Sequence, residues 1–160
     1  MNCVITGATR GIGKAITEKF ASEGFNVAVC ARNKKDLDQL YNELHHKHPD
    51  AEIIAQQCDV SDKKQLKAFA DIIKSQWNTV DVLVNNAGVF IPGQIHKEKS
   101  GTLEKLIKTN LYSAYYLTQF LSKMMIKEKS GHIFNICSTA SISAYANGGS
   151  YGISKFALLG

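Results

Sequence analysis

Short runs rich in β-branched residues alternate with longer stretches of helical period along the chain, and no other feature narrows the possible folds so far. The strand-like runs are Cys3 to Thr6, Val27 to Ala31, Ile53 to Cys58, Val80 to Asn85 and His132 to Cys137. Between them lie helical stretches at Gly11 to Ser22, Lys35 to His46, Lys63 to Trp77 and a long one near Leu103 to Lys127. Such alternation predicts an α/β fold: a doubly wound parallel sheet with helices on both faces, right-handed crossovers, and ligands bound beyond the carboxyl ends of the strands. No linker or break in composition interrupts it, so residues 1–160 are expected to form a single domain.

Composition agrees with that expectation. With 160 residues, 44% hydrophobic and 21% charged, the chain can bury a sizeable core. The first residues, Met1-Asn2-Cys3-Val4-Ile5-Thr6, run straight into an apolar strand without a charged leader, and no apolar run approaches membrane-spanning length. A cytoplasmic protein is the expectation. Cys3, Cys30, Cys58 and Cys137 fall in the strand-like runs without ligand spacing, which points to buried free thiols. His45, His46 and His48 have no carboxylate or cysteine at ligand spacing, so they read as a polar helix end, and no metal is expected. The formal charge of +5 comes from lysine pairs such as Lys34-Lys35 and Lys63-Lys64, close to acids and without interleaved aromatics. Solvated helix faces account for that pattern better than a nucleic-acid surface.

The long fourth helix is apolar round most of its circumference, through Leu111, Tyr112, Ala114, Tyr115, Tyr116, Leu117, Phe120, Leu121, Met124, Met125 and Ile126. A helix of that kind is expected to be buried on nearly all sides, one face on the sheet and the other against a partner subunit or an internal neighbour.

After the first strand comes Thr6-Gly7-Ala8-Thr9-Arg10-Gly11-Ile12-Gly13. Glycines let the backbone approach a phosphate, and a helix N-terminus offers unpaired N–H groups and the positive end of its dipole. A Walker A loop is excluded, because reading back from Gly13-Lys14 puts Ala8 at its first glycine and Ala15 at its magnesium-binding hydroxyl. The second strand ends Cys30-Ala31-Arg32-Asn33, with no acid before Asp36 to accept ribose hydroxyls. Arg10 and Arg32 can instead converge on a 2′-phosphate, which favours NADP over NAD.

Toward the C-terminus, Asn85-Asn86-Ala87-Gly88 closes the fourth strand, Asn110 is read as opening the buried helix, and Ser138 follows the fifth strand. Tyr151 and Lys155 are four residues apart, which places a phenol and an ammonium on one face of a helix. A nearby cation favours the phenolate and so brings a tyrosine closer to proton transfer at neutral pH. In this order, with the glycine turn and Asp59-Val60, the motifs resemble the short-chain dehydrogenase/reductase family throughout the chain, most nearly its 3-oxoacyl-carrier-protein reductases.

The resemblance implies a Rossmann fold and an NADPH-dependent reductase of ketones or other carbonyls. Tyr151 would give the proton and also contact the cofactor, Lys155 would lower its pKa and hold the nicotinamide ribose, Ser138 would orient the carbonyl, and Asn110 would anchor a proton relay. Gly7, Thr9, Arg10, Gly11, Ile12 and Gly13 would surround the phosphates, Asp59 and Val60 the adenine, and Asn86, Ala87 and Gly88 the ribose. Asp59 also reads as part of a helix entry. Family members continue into a sixth strand, a Pro-Gly segment, a substrate lid and a seventh strand, so the resemblance implies a domain holding strands one to five and incomplete at its C-terminus. It also implies a homo-oligomer when full length, acting on a small carbonyl or an acyl-carrier substrate. An acidic carrier domain could meet Lys123, Lys127 and Lys129, although a solvated helix end explains them as well. Phe90, Ile91, Ile142 and Tyr145 would favour an apolar substrate. The alternative is a non-catalytic nucleotide-binding or interaction module.

Overall fold

Residues 1–160 are described by a computed structural model. Its strands are β1 (Asn2–Thr6), β2 (Asn26–Ala31), β3 (Ile53–Gln57), β4 (Val82–Asn85) and β5 (His132–Asn135). Its helices are α1 (Gly11–Ser22), α2 (Lys34–Lys47), α3 (Lys63–Gln76), α4 (Thr102–Ile107), α5 (Ser113–Glu128) and α6 (Gly149–Leu159). The strands form one sheet in the order β3-β2-β1-β4-β5, with every neighbouring pair parallel. The chain winds outward from β1 through β2 to β3, then returns to the other side of β1 for β4 and β5. The crevice between the ends of β1 and β4 is therefore the topological switch point, where α/β sheets of this kind bind ligands.

Alternation along the strands builds two cores. Cys3, Ile5, Val27, Val29, Val82 and Val84 point to one face and pack with Ala21 of α1 and Leu37, Leu40 and Leu44 of α2. Val4, Ala28, Cys30 and Leu83 point to the other and meet Leu66, Phe69 and Ile73 of α3 and Leu117, Leu121 and Met125 of α5. Because both faces of β1, β2 and β4 are covered, these strands read as nearly continuous apolar runs. β5 pairs on one edge only and its four residues are exposed.

Two local expectations are corrected. Asn110 does not open a helix: α4 and α5 are joined by a π-helical turn, Lys108–Tyr112, and Asn110 lies inside it. Within the single chain, Ala114, Leu117, Leu121 and Met125 of the aromatic helix are covered while Tyr115 and Ile126 are 58% and 71% exposed. The entry to α3 is capped by Asp62, whose Oδ1 accepts from the N–H of Lys64 at 2.8 Å; Asp59 turns onto Ser61 instead.

Two of the thiols also lie just outside the strands expected to hold them. Cys58 follows β3 directly and is buried, while Cys137 follows β5 and is only half-buried. Burial, with Asp81 nearby, pushes the Cys3 thiol up to about 12. No helix is long and apolar enough to cross a membrane.

Candidate active site

The turn from β1 into α1 is shaped by two glycines at positive φ, Gly7 at 66° and Gly11 at 55°, values that a side chain rarely permits. A Cβ on Gly13 would overlap both the Gly7 carbonyl oxygen and the Asn86 side-chain nitrogen, so the helix can lie this close to the turn only with glycine there. The turn is fastened to the end of β4. Asn86 Nδ2 donates to the carbonyl oxygens of Thr6 and Gly7 at 2.9 and 3.1 Å, and the Thr6 hydroxyl accepts from the N–H groups of Asn86 and Ala87 at 3.1 and 3.0 Å.

The N-terminus of α1 carries no side-chain cap and no acidic residue in its first turn. Its N–H groups are left for an external acceptor. In front of it opens a cavity of about 810 Å³. Gly7, Thr9, Arg10, Gly11, Ile12, Gly13, Arg32, Asp59, Val60, Asn86, Ala87 and Gly88 all line it, together with Asn33, Asp36, Cys58 and Thr109. Arg10 and Arg32 are both exposed on that lining. Asn33 also caps α2, its Oδ1 accepting from the N–H of Lys35 at 3.0 Å.

Beyond Gly88 lies a second group of polar side chains, outside the cavity lining. A Cβ on Gly88 would sit 3.3 Å from Asn110 Oδ1 and 3.8 Å from Lys155 Nζ, so this glycine is where the two regions meet. Asn110 is 1% exposed and fully engaged. Its Oδ1 accepts from the Val89 N–H at 2.8 Å, while its Nδ2 donates to the Val89 carbonyl at 3.0 Å and to Ser154 Oγ at 3.0 Å. The π-helical turn brings this amide to the right depth, as such widened turns commonly do at functional positions. The Ser154 hydroxyl in turn donates to the Tyr151 carbonyl at 2.8 Å.

Lys155 is 5% exposed, and its Nζ donates to the Ile136 carbonyl at 2.8 Å. Burial pulls its pKa below the ordinary lysine value, against the opposing pull of Cys137. The half-buried ring of Tyr151 meets that of Phe90 edge-on, 4.7 Å between centroids. Ser138 begins a short 3₁₀ turn, Thr139–Ser141, that packs on α6; its Oγ accepts from the Ala140 N–H and its N–H donates to Ser141 Oγ, both at 3.1 Å.

Two residues that sequence reasoning passed over belong to this region. Ser154 looks like spacer between tyrosine and lysine, yet it links Asn110 to α6. Glu98 sits in a charged run, but its carboxylate turns inward and accepts from both the N–H and the hydroxyl of Ser150, the N–H at 2.8 Å. The Ser150 hydroxyl and then its N–H hold the Glu98 carboxyl below the usual carboxylate range.

A parallel sheet with a glycine-built, uncapped helix entry at its switch point and a tyrosine–lysine pair beyond it defines a class of dinucleotide-binding oxidoreductase folds. The family model described as short chain dehydrogenase matches residues 2–160, and the chain belongs to that family. It is similar to the 3alpha-hydroxysteroid dehydrogenase of Mediterraneibacter gnavus, 31% identical over 157 residues covering 98% of this chain and 63% of that protein. It is likewise similar to the NADP-dependent 3-hydroxy acid dehydrogenase YdfG of Escherichia coli strain K12, 33% identical over 156 residues covering 97% of this chain and 61% of the relative. Among solved structures, a metagenomic short-chain oxidoreductase in complex with NADP superposes with a TM-score of 0.92 at 37% identity, over 99% of this chain and 72% of that one. The L-sorbose reductase of Gluconobacter frateurii, complexed with NADPH and L-sorbose, gives 0.94 at 26% identity, over 99% and 60%. The chain thus spans 63% and 61% of the length of the two curated relatives.

Proposed function

We propose that these residues form the cofactor-binding and proton-transfer part of an NADPH-dependent carbonyl reductase. The observation that carries the reading is that Gly88, on the lining of the cavity before the uncapped α1 entry, lies against Asn110 and Lys155, with Asn110 bonded through Ser154 to the helix that carries Tyr151. The open first turn, the two glycines at positive φ and the close approach at Gly13 suit a pyrophosphate. Arg10 and Arg32 on the same lining suit a 2′-phosphate, in keeping with relatives and neighbours named for NADP.

When bound, the cofactor supplies the hydride for the carbonyl carbon. The chain's part is the proton and its placement. Tyr151 gives its phenolic proton to the carbonyl oxygen, and Ser138 orients that oxygen by hydrogen bonding. An ordinary phenol has a pKa of about 10, too high to match neutral pH, so a cation beside it is needed to bring it down. Lys155, buried four residues further along the same helix, is the cation assigned to that role. Asn110 holds the Val89 backbone and Ser154 in register and anchors the relay that returns a proton to Tyr151. Phe90, Ile91, Ile142 and Tyr145 favour an apolar carbonyl substrate, of the 3-oxoacyl type or a small ketone.

The test is ketone-dependent oxidation of NADPH by the whole protein and its Tyr151→Phe variant. Loss of the proton donor is expected to lower kcat by about 10²–10⁴-fold and to change NADPH affinity far less, because the phosphate contacts of the α1 turn stay intact. Wild-type turnover in Tyr151→Phe overturns the mechanism, and NADPH binding without turnover of any carbonyl favours the binding-module alternative.

A further inference from the structure

Along the sequence, Glu98 is one acid in His96-Lys97-Glu98-Lys99, a run that ordinarily faces water. In the fold it reaches 52 positions along the chain to Ser150, where one carboxylate oxygen accepts the backbone N–H and the other the hydroxyl. Ser150 is buried in the first turn of α6 and immediately precedes Tyr151. The residue before that helix, Gly148, supplies no side-chain cap, so Glu98 does from a distance what a local Ser or Asp usually does.

The seat for this carboxylate is built. Gly149 has φ of +37°, and a Cβ there would overlap both Glu98 Oε1 and the Gly93 carbonyl; a Cβ on Gly93 would lie 2.9 Å from Glu98 Cγ. The Gly93 N–H donates to the Asn147 carbonyl at 3.0 Å, a second tie between the same segments. The loop that ends at Glu98 is held at its start by Asn110 on Val89, and between the two it carries Phe90 against the Tyr151 ring. Around Tyr151, α6 is fastened at three residues by three other elements: Ser150 by Glu98, Ser154 by Asn110, and Lys155 by Ile136.

We infer that Glu98 is a positioning residue for the reaction: by capping α6 it fixes the depth and register of Tyr151 and locks the Phe90 loop onto the same helix. The inference rests on the reading of Tyr151 as proton donor. A misplacement of about 1 Å at a reacting group can cost on the order of a hundredfold in rate, so the effect falls on turnover and not on a cofactor bound at the other end of the crevice.

The experiment compares wild type, Glu98→Ala and Glu98→Gln in the whole protein, measuring kcat, NADPH affinity by fluorescence, and amide hydrogen exchange. Glu98→Ala is expected to lower kcat about tenfold or more, keep the NADPH dissociation constant within about twofold, and speed exchange of the Ser150 amide at least about tenfold while α1 is unaffected. Glu98→Gln, which still accepts the Ser150 N–H, is expected to recover most of kcat. A Glu98→Ala protein that loses Ser150 protection yet keeps kcat within about twofold overturns the inference. If the wild type reduces no carbonyl, the reading of Tyr151 fails, and hydrogen exchange still decides whether Glu98 fixes the helix: unchanged Ser150 exchange overturns that too. Should Glu98→Ala not fold, Ser150→Ala removes one of the two donors and is expected to lower kcat about threefold at constant NADPH affinity; wild-type kcat there overturns the inference.

Discussion

The N-termini of α1 and α6 are finished in opposite ways. At α1 no side chain caps the first turn and no acid stands in it; at α6 a carboxylate is brought in from a remote loop and uses both oxygens on Ser150. Two other helices are capped locally, α2 by Asn33 and α3 by Asp62. The contrast follows from one physical fact: unpaired N–H groups and a positive dipole end attract whichever anion is available. On the proposed reading, the end that would receive a phosphate is left open, and the end that would hold Tyr151 still is closed by the protein itself.

Converting the first end into the second is the strongest way to break the comparison. Arg10 occupies the capping position of α1 with φ −155° and ψ 165°, an extended conformation that a capping aspartate adopts. Arg10→Asp is expected to raise stability by about 0.5–2 kcal/mol in denaturant titrations. It should weaken NADPH binding at least about a hundredfold, because a carboxylate then takes the N–H groups meant for phosphate and one cation is lost. Arg10→Ala separates the two causes, since it removes the cation alone and should cost much less. NADPH binding at wild-type strength by Arg10→Asp, measured by fluorescence titration, would show that the open end of α1 is not the phosphate site.

A smaller effect sharpens which anion that end is built for. Arg32 lies on the cavity lining just past β2 and is exposed, so its contribution is expected only when a 2′-phosphate is present. A charge-assisted hydrogen bond is worth ~1.5–3 kcal/mol, so Arg32→Ala should weaken NADPH binding about tenfold or more and leave NADH nearly unchanged. Equal losses for both cofactors would remove the assignment to the 2′-phosphate.

What could be read in advance divides along the same line. The order of strands and helices was legible because strands covered on both faces are short apolar runs, and the helices between them keep their own period. The open end of α1 was legible too, since a glycine turn states its purpose locally, within residues 7 to 13. The closed end of α6 was not. Glu98 and Ser150 are 52 positions apart, and neither residue type nor neighbourhood marks the pairing. Asn110 was placed at a helix start because one widened turn in a long apolar helix leaves its period almost intact; the π-helical geometry shows only in the backbone, and the hold of the Asn110 side chain on Val89 only in the fold. Along the aromatic helix, Tyr112, Tyr115 and Ile126 carry apolar surface that this chain leaves open, and hydropathy does not say what covers it.

Acid should reopen the end that Glu98 closes. The Ser150 hydroxyl, and after it the Ser150 N–H, hold the Glu98 carboxyl below its ordinary value. A carboxylate whose folded pKa is depressed contributes stability that is fully present above its unfolded pKa, about 4.3, and is lost as pH falls through the lower folded value. Protonated Glu98 is nearly isosteric with a glutamine, so wild type and Glu98→Gln should differ in Tm at neutral pH, begin to converge as pH falls below about 4.3, and meet once it has passed through the lower folded value. Glu23, Glu43, Asp62 and Asp71 are also held low, by Lys19, Lys14, the Lys64 N–H and Lys67 in turn, and they titrate in the same window. They are common to both proteins, so the difference between the two Tm curves isolates Glu98. A difference that stays constant from neutral pH through the whole acid range in which the carboxylates take up protons would mean that the charge on Glu98 plays no part in closing α6, and that only the shape of its side chain does.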